Sequence, residues 1–136
     1  MISCRQTFSV IVISMGRPDC LNDILRSLNQ QTRKPDNILF VVTNSTDVRM
    51  DPGTIGLDRQ PQIIMATQGT CHQRNVGLDT LEQADGIVAF FDDDYLPSTT
   101  ALEGIEAAFH DFGPEVAGMS GHLIADGIAG PGIDAV

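Results

Sequence analysis

Apolar residues along this chain fall into short runs rich in β-branched side chains, separated by stretches with helical spacing. Residues 8–14, 38–43, 62–66 and 86–91 read as strands, and residues 116–124 as a fifth. The first, second and fourth runs are apolar almost throughout and do not alternate, the pattern of strands covered on both faces by helices, which implies a parallel sheet. Between them, Leu21, Ile24, Leu25 and Leu28 recur at i, i+3, i+4 and i+7, one buried face of a helix that starts after Pro18 with Asp19 as N-cap. Thr70 with Gln73 reads as a capping box for a helix to about residue 83, and Thr100 with Glu103 as another for a helix to about residue 111. Residues 44–60, with Pro52, Gly53 and Gly56 and no clear period, read as a long loop or a short irregular helix.

This order of elements predicts an α/β fold: a doubly wound, mostly parallel sheet of about five strands with helices on both faces. A ligand is then expected at the carboxyl ends of the strands. The 136 residues amount to one domain, since domains commonly run to roughly 100–150 residues. The Gly- and Pro-containing segment 127–136 reads as a loop leading onward, so the expectation is an N-terminal part of a longer domain.

Charge narrows the partners. Eighteen acidic against eight basic side chains give a net charge of −10, which repels a phosphate backbone, so nucleic acid is not an expected partner. Residues 1–68 hold six acids and seven bases, whereas residues 69–136 hold twelve acids and Arg74 as the single base. A divalent cation would relieve that second half. The longest apolar run, residues 8–15, is far short of the roughly 20 residues of a bilayer span, so no transmembrane segment is expected. No export signal opens the chain, and the expected location is the cytoplasm, with association of a longer protein with a membrane surface left open. Cys4, Cys20 and Cys71 are odd in number and lack CxxC spacing, which fits a reducing compartment and small buried side chains better than disulfides.

The chemistry concentrates after the run 86–91, where Asp92, Asp93 and Asp94 follow one another. Adjacent carboxylates repel unless a cation or hydrogen-bond donors neutralise them. Mg²⁺ or Mn²⁺ suits such a turn, because it takes one or two carboxylates and fills its other positions with water and phosphate oxygens. Arg74 and Asn75 stand on the first turns of the preceding helix, and a guanidinium there suits a phosphate or nucleotide. The turn of Ser14, Gly16, Arg17 and Pro18 lies at the same edge of the sheet. His72, His110 and His122 show no ligand spacing, and no GxSxG nucleophile motif occurs.

Taken in order, Ser14, Arg17 and Pro18; Gln31 and Thr32; Asn44, Ser45, Thr46 and Asp47; Arg74, Asn75 and Gly77; and Asp92, Asp93 and Asp94 resemble the motif series of family 2 glycosyltransferases of the GT-A fold. The resemblance runs from about residue 8 to residue 124. It implies the donor half of an enzyme that transfers a sugar, by expectation a hexosyl unit, from a nucleotide-diphospho-sugar to an acceptor hydroxyl. Inversion and assistance by Mn²⁺ or Mg²⁺ are part of that expectation. Carried over by position, Ser14, Arg17 and Arg74 would contact the nucleotide, Asp92 and Asp93 would lie near the ribose and sugar, and Asp94 with Asp92 would hold the metal. The family's second strand usually ends in an acidic pair, where this chain has Val42 and Thr43, so Thr43 and Asn44 are the neutral substitutes facing the base. The family's catalytic base and acceptor site fall beyond residue 136, and Asp126 and Asp134 are too loosely placed to take that role. A truncated nucleotide- and metal-binding module without catalysis is therefore the alternative. A phosphatase of the haloacid dehalogenase type would also use an Asp-x-Asp turn, but expects it after the first strand and a Lys downstream, which residues 95–136 lack.

Overall fold

The computed structural model describes residues 6–81 and 86–120. Strand β1 (Thr7–Ile13) leads into helix α1 (Pro18–Asn29) and strand β2 (Asn37–Val42). A 3₁₀ turn (Ser45–Asp47) and the short helix α2 (Pro52–Ile55) lead to strand β3 (Gln62–Met65). Helix α3 (Thr70–Thr80), strand β4 (Gly86–Asp92) and helix α4 (Ala101–Phe112) follow. The strands form one parallel sheet in the order β3-β2-β1-β4. The expected doubly wound α/β architecture is present, with four strands where about five were anticipated. Residues 116–120 form no strand, and the rest of that fifth candidate, 121–124, lies outside the described residues.

The core has two layers, one on each face of the sheet. On one face Phe8, Val10, Val12, Ile38, Phe40 and Val42 meet the apolar face of α1 and Leu102 of α4. On the other, Ile11, Ile13, Leu39 and Val41 meet Ile64, Val76 and Leu81. Alternation of side chains along each strand sends odd and even positions to opposite layers, and both are apolar because both are covered. This holds for β1 and β2. It fails for β4, whose burial is partial and whose Phe90 is 40% exposed, because β4 lies at the sheet edge among the described residues. Arg74 on α3 stacks its guanidinium over that Phe90 ring, 6.0 Å from the centroid.

Helix ends depart from the sequence pattern. Arg17 takes the N-cap position of α1 with Pro18 in the first turn, so Asp19 sits one step inside, favourable to the helix dipole and paired with Arg49. Neither expected capping box forms. Gly69 is the N-cap of α3, while Glu103 accepts a hydrogen bond from Thr32 Oγ1 instead of folding back on its own helix. A capping box does close at the 3₁₀ turn, between Asn44 and Asp47.

Gln31 explains how α4 is placed. Its Nε2 donates to Ser98 O and Ser27 O, and its Oε1 accepts from Leu102 N in the first turn of α4. Thr32 N adds a bond to Thr99 O. The pair thus docks the segment that follows the aspartate triplet. Buried Asn22 and Asn29, seven residues apart on α1, do the same for the long connection: they bind main-chain groups of Arg49, Asp51 and Arg59. At the opposite end of the sheet, buried Arg33 joins Glu106, Asp36 and Gln6 O and lies over the Phe8 ring.

Gly77 sets the distance between α3 and the sheet. A Cβ there would stand 2.9 Å from Ile11 Cγ2 and 3.3 Å from Val41 Cγ2, both fully buried. Overpacking of this kind costs about 1–3 kcal/mol, against about 1 kcal/mol gained from the better helix propensity of alanine. Gly77→Ala is therefore expected to lower the midpoint of urea unfolding, and an unchanged or raised midpoint would contradict the close approach.

Candidate functional site

Strand order reverses between β1 and β4. The chain runs outward from β1 to β2 and β3, then returns to the other side of β1, and such a switch point opens a crevice at the carboxyl ends of the two strands. The β1–β4 register pairs Ile13 with Asp92, which brings the next residues, Ser14 and Asp93, side by side. A cleft of about 510 Å³ opens there. Ile13 at the end of β1 lines it with Ser14, Met15 and Arg17 of the following turn, Asp92 at the end of β4 with Asp93 and Asp94 of its turn, and Gln68, Gly69, Thr70 and Gln73 around the start of α3.

The three aspartates have different situations. Asp93 is 8% exposed, and both its oxygens are engaged: Oδ2 accepts from Ser14 Oγ at 2.7 Å and Oδ1 from Arg17 Nη1 at 3.2 Å. Asp92 and Asp94 have side chains 70% and 68% exposed, each with a guanidinium nitrogen 3.8 Å away, from Arg74 and Arg17 respectively. Asp93 is an anchor between strands, while Asp92 and Asp94 present free carboxylate edges to the cleft. Arg74 belongs to the same corner through Asp92. Thr43 and Asn44 stand at the end of β2, outside the cleft lining.

Two residues that motif reading left without a role organise this corner. Asp47, 6% exposed, accepts from Gly16 N, Thr43 N, Thr43 Oγ1 and Asn44 N. It ties the turn after β1 to the turn after β2 and engages the Thr43 hydroxyl. Gly16 has φ +69°, a left-handed conformation that glycine adopts without a Cβ clash, and this points its N–H at the carboxylate. Gln73, 4% exposed, donates from Nε2 to Ser14 O and Val41 O and accepts from Gly69 N, so it ties the start of α3 to the ends of β1 and β2. Asp47 was visible as part of a motif and Gln73 as an apparent capping residue, and each has partners three or four residues away, but the bonds that join separate elements, to Gly16, Val41 and Ser14, span about 30 to 60 residues.

Burial would raise the pKa of Asp47, yet the hydrogen bonds from Thr43, Gly16 and Asn44 outweigh it and hold the carboxyl below its ordinary value. The Cys20 thiol is pushed up, first by burial and then by the charge of Asp93, so it stays protonated at neutral pH. Cys20 is half-buried and Cys71 exposed, both free thiols, which corrects the expectation of buried cysteines for Cys71; Cys4 lies outside the described residues.

Metal chemistry can be tested on the donor set. Among the described residues no three His, Cys, Asp or Glu side chains gather into a preformed cage. Asp92 and Asp94 nevertheless fit a hard ion that completes its sphere with water and phosphate oxygens, since one or two carboxylates suffice for it. No helix among the described residues is long and apolar enough to cross a membrane. No protein-family model matches the chain, and no curated protein matches it.

Because the folded pKa of Asp47 lies below its unfolded value, its stabilising contribution is complete above the ordinary carboxylate range and disappears as pH falls through the folded value. Asp47→Asn is expected to lower the thermal midpoint at pH 7, with the gap from the native protein narrowing below about pH 4. A gap independent of pH between 2 and 7, scanned in steps of about one unit, would remove the ionised carboxylate from this account.

Proposed function

We propose that this chain is the donor-binding half of an inverting glycosyltransferase, taking a nucleotide-diphospho-sugar with Mn²⁺ or Mg²⁺ at Asp94 and Asp92. The observation that carries the reading is the convergence, at the switch point of a doubly wound parallel sheet, of two exposed carboxylates with two guanidinium groups beside a polar cleft. Diphosphate binding calls for positive charge, and Arg17 and Arg74 bring it from two different elements. The cleft continues past Ser14 and Met15 toward Gln68 and Thr70, neutral groups suited to a ribose or a base edge. The motif resemblance supplies the reaction class and the chemistry of the bound ion, which as a Lewis acid favours departure of the nucleoside diphosphate.

The residues of the chain divide the remaining tasks. Asp93 holds Ser14 and Arg17 in place, which keeps the β1 turn against the triplet. Asp47 fixes the same turn from the other side. Thr43, with its hydroxyl bonded to Asp47, stands outside the cleft lining, so selection of the base falls to the neutral groups that do line it, Gln68 and Thr70. The carboxylates that line the cleft among the described residues are Asp92, Asp93 and Asp94, all assigned to binding or anchoring. That observation favours a second reading, donor binding without transfer by this chain alone, which a sugar-transfer assay separates from the first.

Thermal unfolding with UDP, dTDP, GDP and CDP, each with and without Mn²⁺, tests the proposal. A ligand specific to the folded state stabilises it by about 2.7 kcal/mol at a hundred times its dissociation constant, so one nucleotide is expected to raise the midpoint only with metal present. Absence of a shift with all four in a cooperatively unfolding sample would sink the donor-site reading. Asp94→Ala is expected to abolish the metal-dependent shift while leaving the ligand-free midpoint nearly unchanged, since its side chain is exposed. Retention of the full shift in that variant would overturn the metal assignment.

A further inference from the structure

The arginine beside Asp94 is held by a different residue. Arg17 Nη1 makes its hydrogen bond to Asp93 at 3.2 Å and stands 3.8 Å from Asp94 Oδ2, too long for a hydrogen bond and close enough for an ion pair. The backbone of Arg17 is fixed as well. It occupies the N-cap of α1 between Gly16, whose N–H is bonded to Asp47, and Pro18, whose φ is locked by its ring. Its side chain remains 56% exposed beyond the Asp93 anchor. The guanidinium is therefore tethered at Asp93 and free to change its second partner.

Resting on the donor-site reading above, we infer that Arg17 is a resident counter-cation of Asp94, which a divalent ion has to displace and which then serves the phosphate anion that arrives with the ion. Without metal, Arg17 relieves the repulsion among adjacent carboxylates and keeps the turn in shape. A cation taken up by Asp94 meets a guanidinium already paired with the same carboxylate, and like charges at that range repel. The metal alone binds weakly as a result. A diphosphate brought with it offers Arg17 a new partner for the one it loses, so metal and nucleotide bind with positive coupling. Arg74 stands at the same 3.8 Å from Asp92 but comes from α3, and among the described residues it has no hydrogen-bonded carboxylate anchor of the kind Asp93 gives Arg17.

The test measures Mn²⁺ binding to the full chain by electron paramagnetic resonance, without nucleotide and with saturating UDP, in the native protein and in Arg17→Gln, Arg17→Lys and Asp94→Asn. Arg17→Gln is expected to bind Mn²⁺ alone about tenfold more tightly than the native protein and to lose most of the gain that UDP confers. Arg17→Lys, which keeps the charge, should stay close to native and guards against misfolding as the cause. Asp94→Asn should lose the site in either condition. Loss of Mn²⁺ binding in Asp94→Asn together with unchanged or weaker binding in Arg17→Gln overturns the counter-cation role and leaves the donor site standing. Native affinity in Asp94→Asn overturns both.

Discussion

The parallel pairing of β1 with β4 is the constraint from which the rest of the site follows. With Ile13 opposite Asp92, the next residue on each strand falls within reach of the other, and Ser14 Oγ closes a buried hydrogen bond onto Asp93. A one-residue slip would exchange the faces of β4, turning Phe90 toward the α1 side and Asp93 away from Ser14. Two apolar layers oppose that slip, because Ile87 packs with Leu102 on one face while Val88 packs with Ile11 on the other. Core packing and site geometry are thus enforced by the same register.

Around that pairing, the carboxyl ends of β1 and β2 are joined by side chains that reach main-chain groups. Asp47 spans the turns after β1 and β2, and Gln73 spans α3 and the ends of the same strands. Each has little exposed surface, so each bond is made where an unpaired donor would be costly. Gln31 and Thr32 extend the same device to the segment 98–102 beyond the triplet. The backbone of the corner that faces the cleft is tied by these hydrogen bonds, and its exposed charges are Arg17, Arg74, Asp92 and Asp94.

The charge arrangement separates structural from available groups. Three consecutive aspartates are an unfavourable sequence, yet the middle one is buried and doubly hydrogen-bonded, and the outer two point to solvent with loose cationic neighbours. The strand ends at Asp92 and the chain turns at once, closed by Tyr95 N donating to Asp92 O, and this turn leaves Asp93 against Ser14 and Arg17 while Asp92 and Asp94 stay exposed. A polar cleft with two outward carboxylates beside two guanidinium groups is suited to an anionic ligand that carries its own metal ion.

Much of this was legible in the chain. Apolar runs without alternation marked β1 and β2 as strands covered on both faces, the leucine spacing marked α1, and the strand–helix order led to a doubly wound sheet. These signals are local, and local periodicity is what a sequence displays directly. The triplet and the Arg17 turn could also be assigned to one edge, because ligands gather at the carboxyl ends of parallel strands. Several features needed the folded chain: the partial exposure of β4, the helix caps taken by Arg17 and Gly69, the separate fate of Asp93, and the roles of Asp47, Gln73 and Gln31. The caps are set by local backbone conformation, while the exposure of β4 depends on its place at the edge of the sheet and the bridging bonds of Asp93, Asp47, Gln73 and Gln31 on partners distant in sequence, and no spacing along the chain encodes which of several equivalent donors a buried carboxylate or amide will meet.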